Sequence, residues 1–337
     1  MTTEPTYLET FERACELAYN REFEELFKHI QLWKGVYYEK NHRVPTHLKK
    51  GLTHVDGLPV SKAGDTLTDA LLKLCVRMNC TEQCQAVYKV IKEIIDQIWR
   101  RHEFDGAEKD ERRKAAVFRA RITLLSAGAF DGDVDLLEFM LCTKSNLRDS
   151  TYDSQYTTHD IHGYSDDQKR NLYLRMLDSA AESGNDSVAK SVFEWLCASR
   201  RTHFRGISLA DESYEQRLLN VFTRVLSAEC TDSADFLMTH SVHLGFNPFL
   251  MQSALPIGRL VCDLMHVGAT KSLDFLCSRS ATHPTEFDKK IDKEFIVKKV
   301  KEYAKSYEKT HFDFAYHDKI NNWLQEKEEP SRKRKST

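Results

Sequence analysis

The sequence predicts an all-α chain in which antiparallel helix pairs stack into an α-solenoid with long loops between repeats. Three observations carry that expectation. Gly and Pro number only 13 and 7 in 337 residues, too few for the many tight turns of a β sandwich or barrel. Apolar residues recur at steps of three and four over much of the chain, the spacing of a helix with one buried face. The second helix of successive pairs also repeats one string: small residues, a short polar break with Gly or Asp, then an apolar helix. One such pair cannot bury its apolar face alone, whereas a stack of them can.

Residues 7–33 read as the first pair, with Phe11, Ala14, Cys15, Leu17 and Ala18 followed by Phe23, Leu26, Phe27 and Ile30. Residues 34–65 gather Gly35, Pro45, Gly51, Gly57, Pro59 and Gly64 and are expected to form a loop insertion. Helical segments follow over 66–142. Leu67, Ala70, Leu71, Leu74 and Cys75 share one face, and Val87, Val90, Ile91, Ile94, Ile95, Ile98 and Trp99 form an amphipathic stripe. Helix pairs recur from Lys114. A second insertion spans 143–166, helical pairs fill 167–280, and a shorter insertion covers 199–211. The array is thus expected over 1–280. Residues 281–326 form a C-terminal helical cap, with Phe295, Ile296, Val300 and Tyr303 inward and a short last helix carrying Ile320, Trp323 and Leu324. The tail 327–337 has no apolar residue and is expected to be disordered.

The strings GAFDGDVDLLEFML and AAESGNDSVAKSVFEWL resemble the second half of an ankyrin repeat, A-A-x-x-G-H-x-E-V-V-K-L-L-L. Ala129, Gly132, Asp135, Leu136, Leu137 and Leu141 match in the first; Ala180, Ala181, Gly184 and Val188 match in the second. Residues 227–238, 266–276 and 14–30 carry weaker copies. Gly132 and Gly184 suit the positive φ just past a helix end, and Asp133, Asp186 and Asp232 are expected to cap the following helix. The family's T-P-L-H start is absent. The spacing is also long: 52 residues from Gly132 to Gly184 and 47 from Gly184 to Thr231, with the excess chiefly in 143–166 and 199–211. The resemblance implies a degenerate ankyrin-like array that binds other proteins without catalysis or a cofactor.

The expected function is therefore a protein–protein interaction scaffold whose insertions supply the contact residues. Tyr152, Tyr156, Tyr164, Arg201, Phe204 and Arg205 are the expected anchors, because aromatic and Arg side chains dominate interface energetics. Arg332, Lys333, Arg334 and Lys335 form an uninterrupted basic tetrad that an import receptor's acidic groove would accept, which predicts a nuclear or nucleo-cytoplasmic protein. A second reading uses SRRTHFRG (199–206) and the basic C-terminus to bind nucleic acid. Against it, Lys plus Arg is 49 and Asp plus Glu is 51, a net charge of −2. A third makes the chain a metal-dependent enzyme using His159, Asp160 and His162. His240, His243, His311 and His317 read as local hydrogen-bonding residues.

No phosphate-binding loop, dinucleotide fingerprint, nucleophile elbow or H-E-x-x-H motif occurs. The nine cysteines are odd in number and scattered, as expected of buried thiols in a reducing, intracellular setting. Cys75, Cys80 and Cys84 lack the second ligand pair of a structural zinc site. The N-terminus lacks the pattern of a secretory signal, and no apolar run reaches membrane-spanning length, so no membrane partner is expected.

Overall fold

A computed structural model describes residues 7–31, 54–55, 58–59, 67–78, 83–84, 86–88, 106–141, 164–209, 212–245, 257–282, 293–310 and 316–333. The described residues are helical apart from turns and one two-residue antiparallel pairing, His54–Val55 (β1) with Leu58–Pro59 (β2), inside the expected 34–65 insertion. Two compact units divide the chain, Met1–Asp160 and Ile161–Thr337. The boundary falls within the expected 143–166 insertion. The sequence reading of one array over 1–280 is therefore parted there, and the 281–326 segment belongs with the second unit. Most of the Val87–Trp99 stripe lies outside the described residues.

In the first unit, α1 (Tyr7–Tyr19) and α2 (Phe23–Gln31) form the expected pair. Phe11, Ala14, Cys15, Leu17, Ala18, Leu26 and Ile30 are buried at the spacing the sequence shows, and the His29 ring bonds the Thr10 carbonyl at 2.8 Å. Helix α3 (Leu67–Arg77) packs on α1 and on α4 (Gly106–Asp131). Thr123 Oγ1 donates to Asp69 Oδ1 at 2.8 Å, and Arg77 pairs with Asp131. The pair expected from Lys114 begins earlier, at Gly106, as a single helix of 26 residues. It turns into α5 (Val134–Leu141), whose start is capped as expected: Asp133 Oδ1 accepts from Leu136 N at 2.9 Å. Gly128 shows why small residues precede the break. A Cβ there would lie 3.2 Å from the side chains of both Leu136 and Leu137, which pack directly against it.

The second unit contains α6 (Asp166–Glu182), α7 (Asp186–Ser199), α8 (Glu212–Ser227), α9 (Thr231–His240), α10 (Ile257–His266), α11 (Thr270–Thr282), α12 (Lys293–Thr310) and α13 (His317–Lys333). First helices pack on first helices: α6 on α8, α8 on α10, α10 on α12. Second helices pack on second helices: α7 on α9, α9 on α11, α11 on α13. The hairpins 167–198, 214–240 and 257–280 thus lie side by side. Their shared core includes Leu172, Leu177, Val192, Phe193, Leu219, Phe222, Leu237, Leu264, Leu273 and Leu276. The last pair closes the unit, with Ile296 and Val300 of α12 and Ile320, Trp323 and Leu324 of α13 buried.

Among the described residues, five helix-to-helix turns each pass through one left-handed residue. These are Arg21 (φ 60°), Gly132 (75°), Gly184 (63°), Glu229 (58°) and Gly268 (65°). At four of the five, the amide that follows reaches back five residues: Glu22 N to Leu17 O, Asp133 N to Gly128 O, Cys230 N to Val225 O and Ala269 N to Leu264 O, each 2.9–3.0 Å. This bond satisfies a carbonyl the helix end leaves orphaned. The register corrects the sequence alignment, because the structural counterpart of Gly184 is Glu229 and not Thr231. At Gly268 the turn also receives the Tyr316 side chain, which a Cβ would meet at 2.6–2.9 Å. Gly268→Ala should therefore cost about 2 kcal/mol, from backbone strain plus overlap. A loss under about 0.5 kcal/mol in urea unfolding would show that the turn relaxes freely.

Two further expectations are corrected. Asp186 and Asp232 do not cap their own helices. Asn185 Oδ1 caps α7 by accepting from Val188 N at 3.4 Å, and the α9 cap position is Cys230, which makes no side-chain cap bond. The tail expected to be disordered from 327 is helical as far as Lys333, because α13 continues through it.

Candidate partner-binding surface

The polar groups that join one hairpin to the next set the geometry of the surface. Asp186 Oδ1 accepts from Ser233 N at 2.8 Å and from Ser233 Oγ at 2.6 Å, and Asp186 Oδ2 accepts from Asp232 N at 3.1 Å. Ser233 Oγ also reaches the Asp186 carbonyl at 2.8 Å. The N-terminal amides of α9 are thus capped by the preceding hairpin, where an anionic group also meets the positive end of the helix dipole. The next interface repeats the device with different atoms: Glu229 Oε1 accepts from Lys271 N at 3.1 Å, and Ser272 Oγ donates to Leu226 O at 2.6 Å. Arg217 pairs with Asp178, Arg224 with Glu182, and Arg279 with Asp235. At the C-terminal end, Trp323 Nε1 donates to Asp274 Oδ1 at 2.8 Å, and Lys319 lies 3.5 Å from Glu229.

Within the expected 199–211 insertion, the described residues 200–209 do not project as the sequence reading expected. The segment 200–209 folds back at the end of α7. The Ser199 carbonyl accepts from the amides of Thr202, His203 and Phe204 at 3.1, 2.8 and 3.3 Å. Phe204 is 0% exposed and packs edge-on against Tyr173, ring centroids 5.1 Å apart at 73°; Ile207 and Leu209 are buried beside the same segment. Phe204 is therefore corrected from a surface anchor to a core plug. Burial removes it from any partner's reach, and SRRTHFRG offered no periodicity from which to foresee this. Arg201 and Arg205, on either side of the plug, are exposed as expected.

Arg200, which the sequence reading passed over as an anchor, holds the segment in place. Its Nη2 donates to Ile207 O at 3.0 Å and its Nη1 to Leu244 O at 3.3 Å, in the turn that follows α9. Gly245 (φ 92°) makes room, since any Cβ there would overlap the guanidinium. The turn 241–245 carries exposed Val242 and His243, and His243 lies 5.7 Å from the ring of His240, which stacks on Phe236 at 4.2 Å.

Tyr164 is half-buried, just before the capping box of Ser165 and Gln168 that starts α6. Tyr152, Tyr156, His159 and His162 lie outside the described residues, as do Arg334 and Lys335. Arg332 and Lys333 belong to the last turn of α13. Among the described residues, no group of three or more His, Cys, Asp and Glu is placed to hold a metal, and no helix is long and apolar enough to cross a membrane. Burial pushes the thiols of Cys197, Cys230 and Cys277 up to about 11, which keeps them protonated and unreactive near neutrality.

No protein family, curated protein or solved structure matches the chain.

Tyr173 combines a buried ring with a buried hydroxyl that has no hydrogen-bond partner among the described residues, and burial drives its ionisation well above the usual range. Tyr173→Phe should leave stability unchanged or raise it by up to about 1 kcal/mol, because the desolvated hydroxyl disappears while the contact with Phe204 remains. A measured loss above about 1 kcal/mol in thermal unfolding would contradict the orphan assignment.

Proposed function

We propose that the chain is a non-catalytic protein–protein interaction scaffold whose second unit is a degenerate ankyrin-type solenoid. One observation carries this reading. Three consecutive hairpins turn on Gly184, Glu229 and Gly268, and each successive pair is joined across the turns by side chains of one hairpin meeting the helix start of the next. Such an arrangement is quasi-one-dimensional, so each added hairpin extends both the core and the surface. Exposed residues at the hairpin ends that make no bond to the next hairpin can vary without disturbing the seam, and Arg201 and Arg205 stand at one such end. The basic tetrad Arg332–Lys335 supports a nuclear address, which an import receptor would read after the last turn of α13 unwinds. A fluorescent fusion should concentrate in nuclei and lose that bias without residues 331–337.

The scaffold reading is tested by purifying the full chain from cells beside two variants, one lacking 143–163 (sparing the Ser165 cap) and one carrying Arg201→Ala/Arg205→Ala. Stoichiometric protein partners should accompany the full chain and be depleted from at least one variant. If no stoichiometric partner accompanies it, the scaffold reading falls. If every partner survives both changes, the role given to these segments falls.

A further inference from the structure

The segment after α7 and the turn after α9 are joined, because α7 packs on α9 and Arg200 reaches from the first to the Leu244 carbonyl of the second. These segments are unusual for a chain with 51 acidic residues: neither 199–209 nor 236–245 contains an Asp or a Glu. Arg200 spends its donors on two carbonyls. Arg201 and Arg205 do not, and among the described residues no carboxylate pairs with either. Elsewhere in the unit Arg170, Arg217, Arg224 and Arg279 each have a carboxylate partner, while exposed Arg175 and Arg259 stand one helical turn from Asp178 and Asp263. The turn that Arg200 reaches carries exposed His243 and Val242, the latter 56% exposed.

From this geometry we propose that the surface formed by Arg201, Arg205, His240, Val242 and His243 binds an acidic peptide segment of a partner protein, with its carboxylates on the arginines and an apolar side chain against Val242. The assignment rests on the scaffold reading and adds the chemistry of the partner. Arg is the side chain suited to bidentate recognition of carboxylate, and a rigid backbone beneath it reduces what binding must order. Phe204, buried under the segment, and Arg200, bridging it to the next turn, supply that rigidity. Nucleic acid fits less well. A strand needs a run of cations tracking its phosphates, whereas this surface offers two free arginines and no lysine, on a chain of net charge −2.

The test is fluorescence anisotropy at low salt with the full chain and three labelled probes: a peptide of Glu and Asp around one Leu, the same peptide with Gln and Asn, and a single-stranded oligo-dT. The acidic peptide should bind and the amide peptide should not. Arg201→Ala/Arg205→Ala should weaken binding about tenfold or more. Arg201→Gln/Arg205→Gln, which keeps side-chain bulk, should weaken it similarly with an unchanged circular dichroism spectrum. Absence of acidic-peptide binding, or binding indifferent to both double variants, overturns the proposal. Tighter binding of oligo-dT, lost in the same variants, overturns it in favour of nucleic acid. A protein partner retained in cells while the acidic peptide fails removes this assignment alone. Absence of any co-purifying partner from the full chain removes the scaffold reading.

Discussion

Phe204→Ala should destabilise the 161–337 unit by about 3–5 kcal/mol, the range for deleting a fully buried aromatic ring. The side chain is 0% exposed and packs edge-on against the Tyr173 ring 5.1 Å away, so its removal leaves a cavity beside that ring. Urea unfolding followed by circular dichroism measures the loss. The result also separates two roles for the residue. As a core plug, Phe204→Leu should recover much of the stability, since an apolar side chain of similar reach refills the site. As a partner anchor, Phe204→Ala would leave stability within about 0.5 kcal/mol, as surface changes do. A second consequence follows from the fold of the segment. Loosening Phe204 should weaken acidic-peptide binding without touching either arginine, because Arg201 and Arg205 would no longer be held on a fixed turn.

The second large effect is expected at Asp186. Asp186→Ala removes the acceptors of two amides and one hydroxyl at the start of α9, and it leaves Ser233, which is 0% exposed, with one remaining partner, the Asp186 carbonyl. The cost should be about 2–3 kcal/mol, the scale for hydrogen bonds to a charged group that leave buried donors unsatisfied. Asp186→Asn keeps an oxygen acceptor and should lose about half as much. Pairing Asp186→Ala with Ser233→Ala in a double-mutant cycle should give a coupling of about 1–2 kcal/mol, because the two residues share their bonds. Additive losses would mean that the hairpins do not communicate through this rung. That outcome would remove the main physical support for reading the unit as a solenoid.

These two residues also show where the sequence is legible. Asp186 stands out in the sequence as a helix-cap residue following Gly184, and it does cap a helix. Its partner is the next hairpin's helix, 47 residues away at Ser233. Residue type and local position are properties of the chain, but the choice between a cap in its own helix and one in the neighbour depends on how closely α7 and α9 pack. Glu229 makes the same point in another way. A glutamate is a poor sequence signal for a left-handed turn, which costs an L-residue about 1 kcal/mol. The turn is nevertheless held, by the Cys230 N to Val225 O bond and by the Lys271 amide on the Glu229 carboxylate. Without that neighbour nothing in the local sequence marks the position, and the register drifts to Thr231.

By itself the sequence determined the helical class, the apolar faces of the paired helices and the small residues at their ends, because each follows from spacing of three and four and from steric size within one segment. It also marked Arg201 and Arg205 as exposed basic residues. Tertiary structure alone decided that Phe204 turns inward, that Arg200 bridges two turns, and that the acid-free segments 199–209 and 236–245 are thereby joined. Those outcomes depend on contacts between residues some forty positions apart, and local periodicity carries no record of contacts at that range.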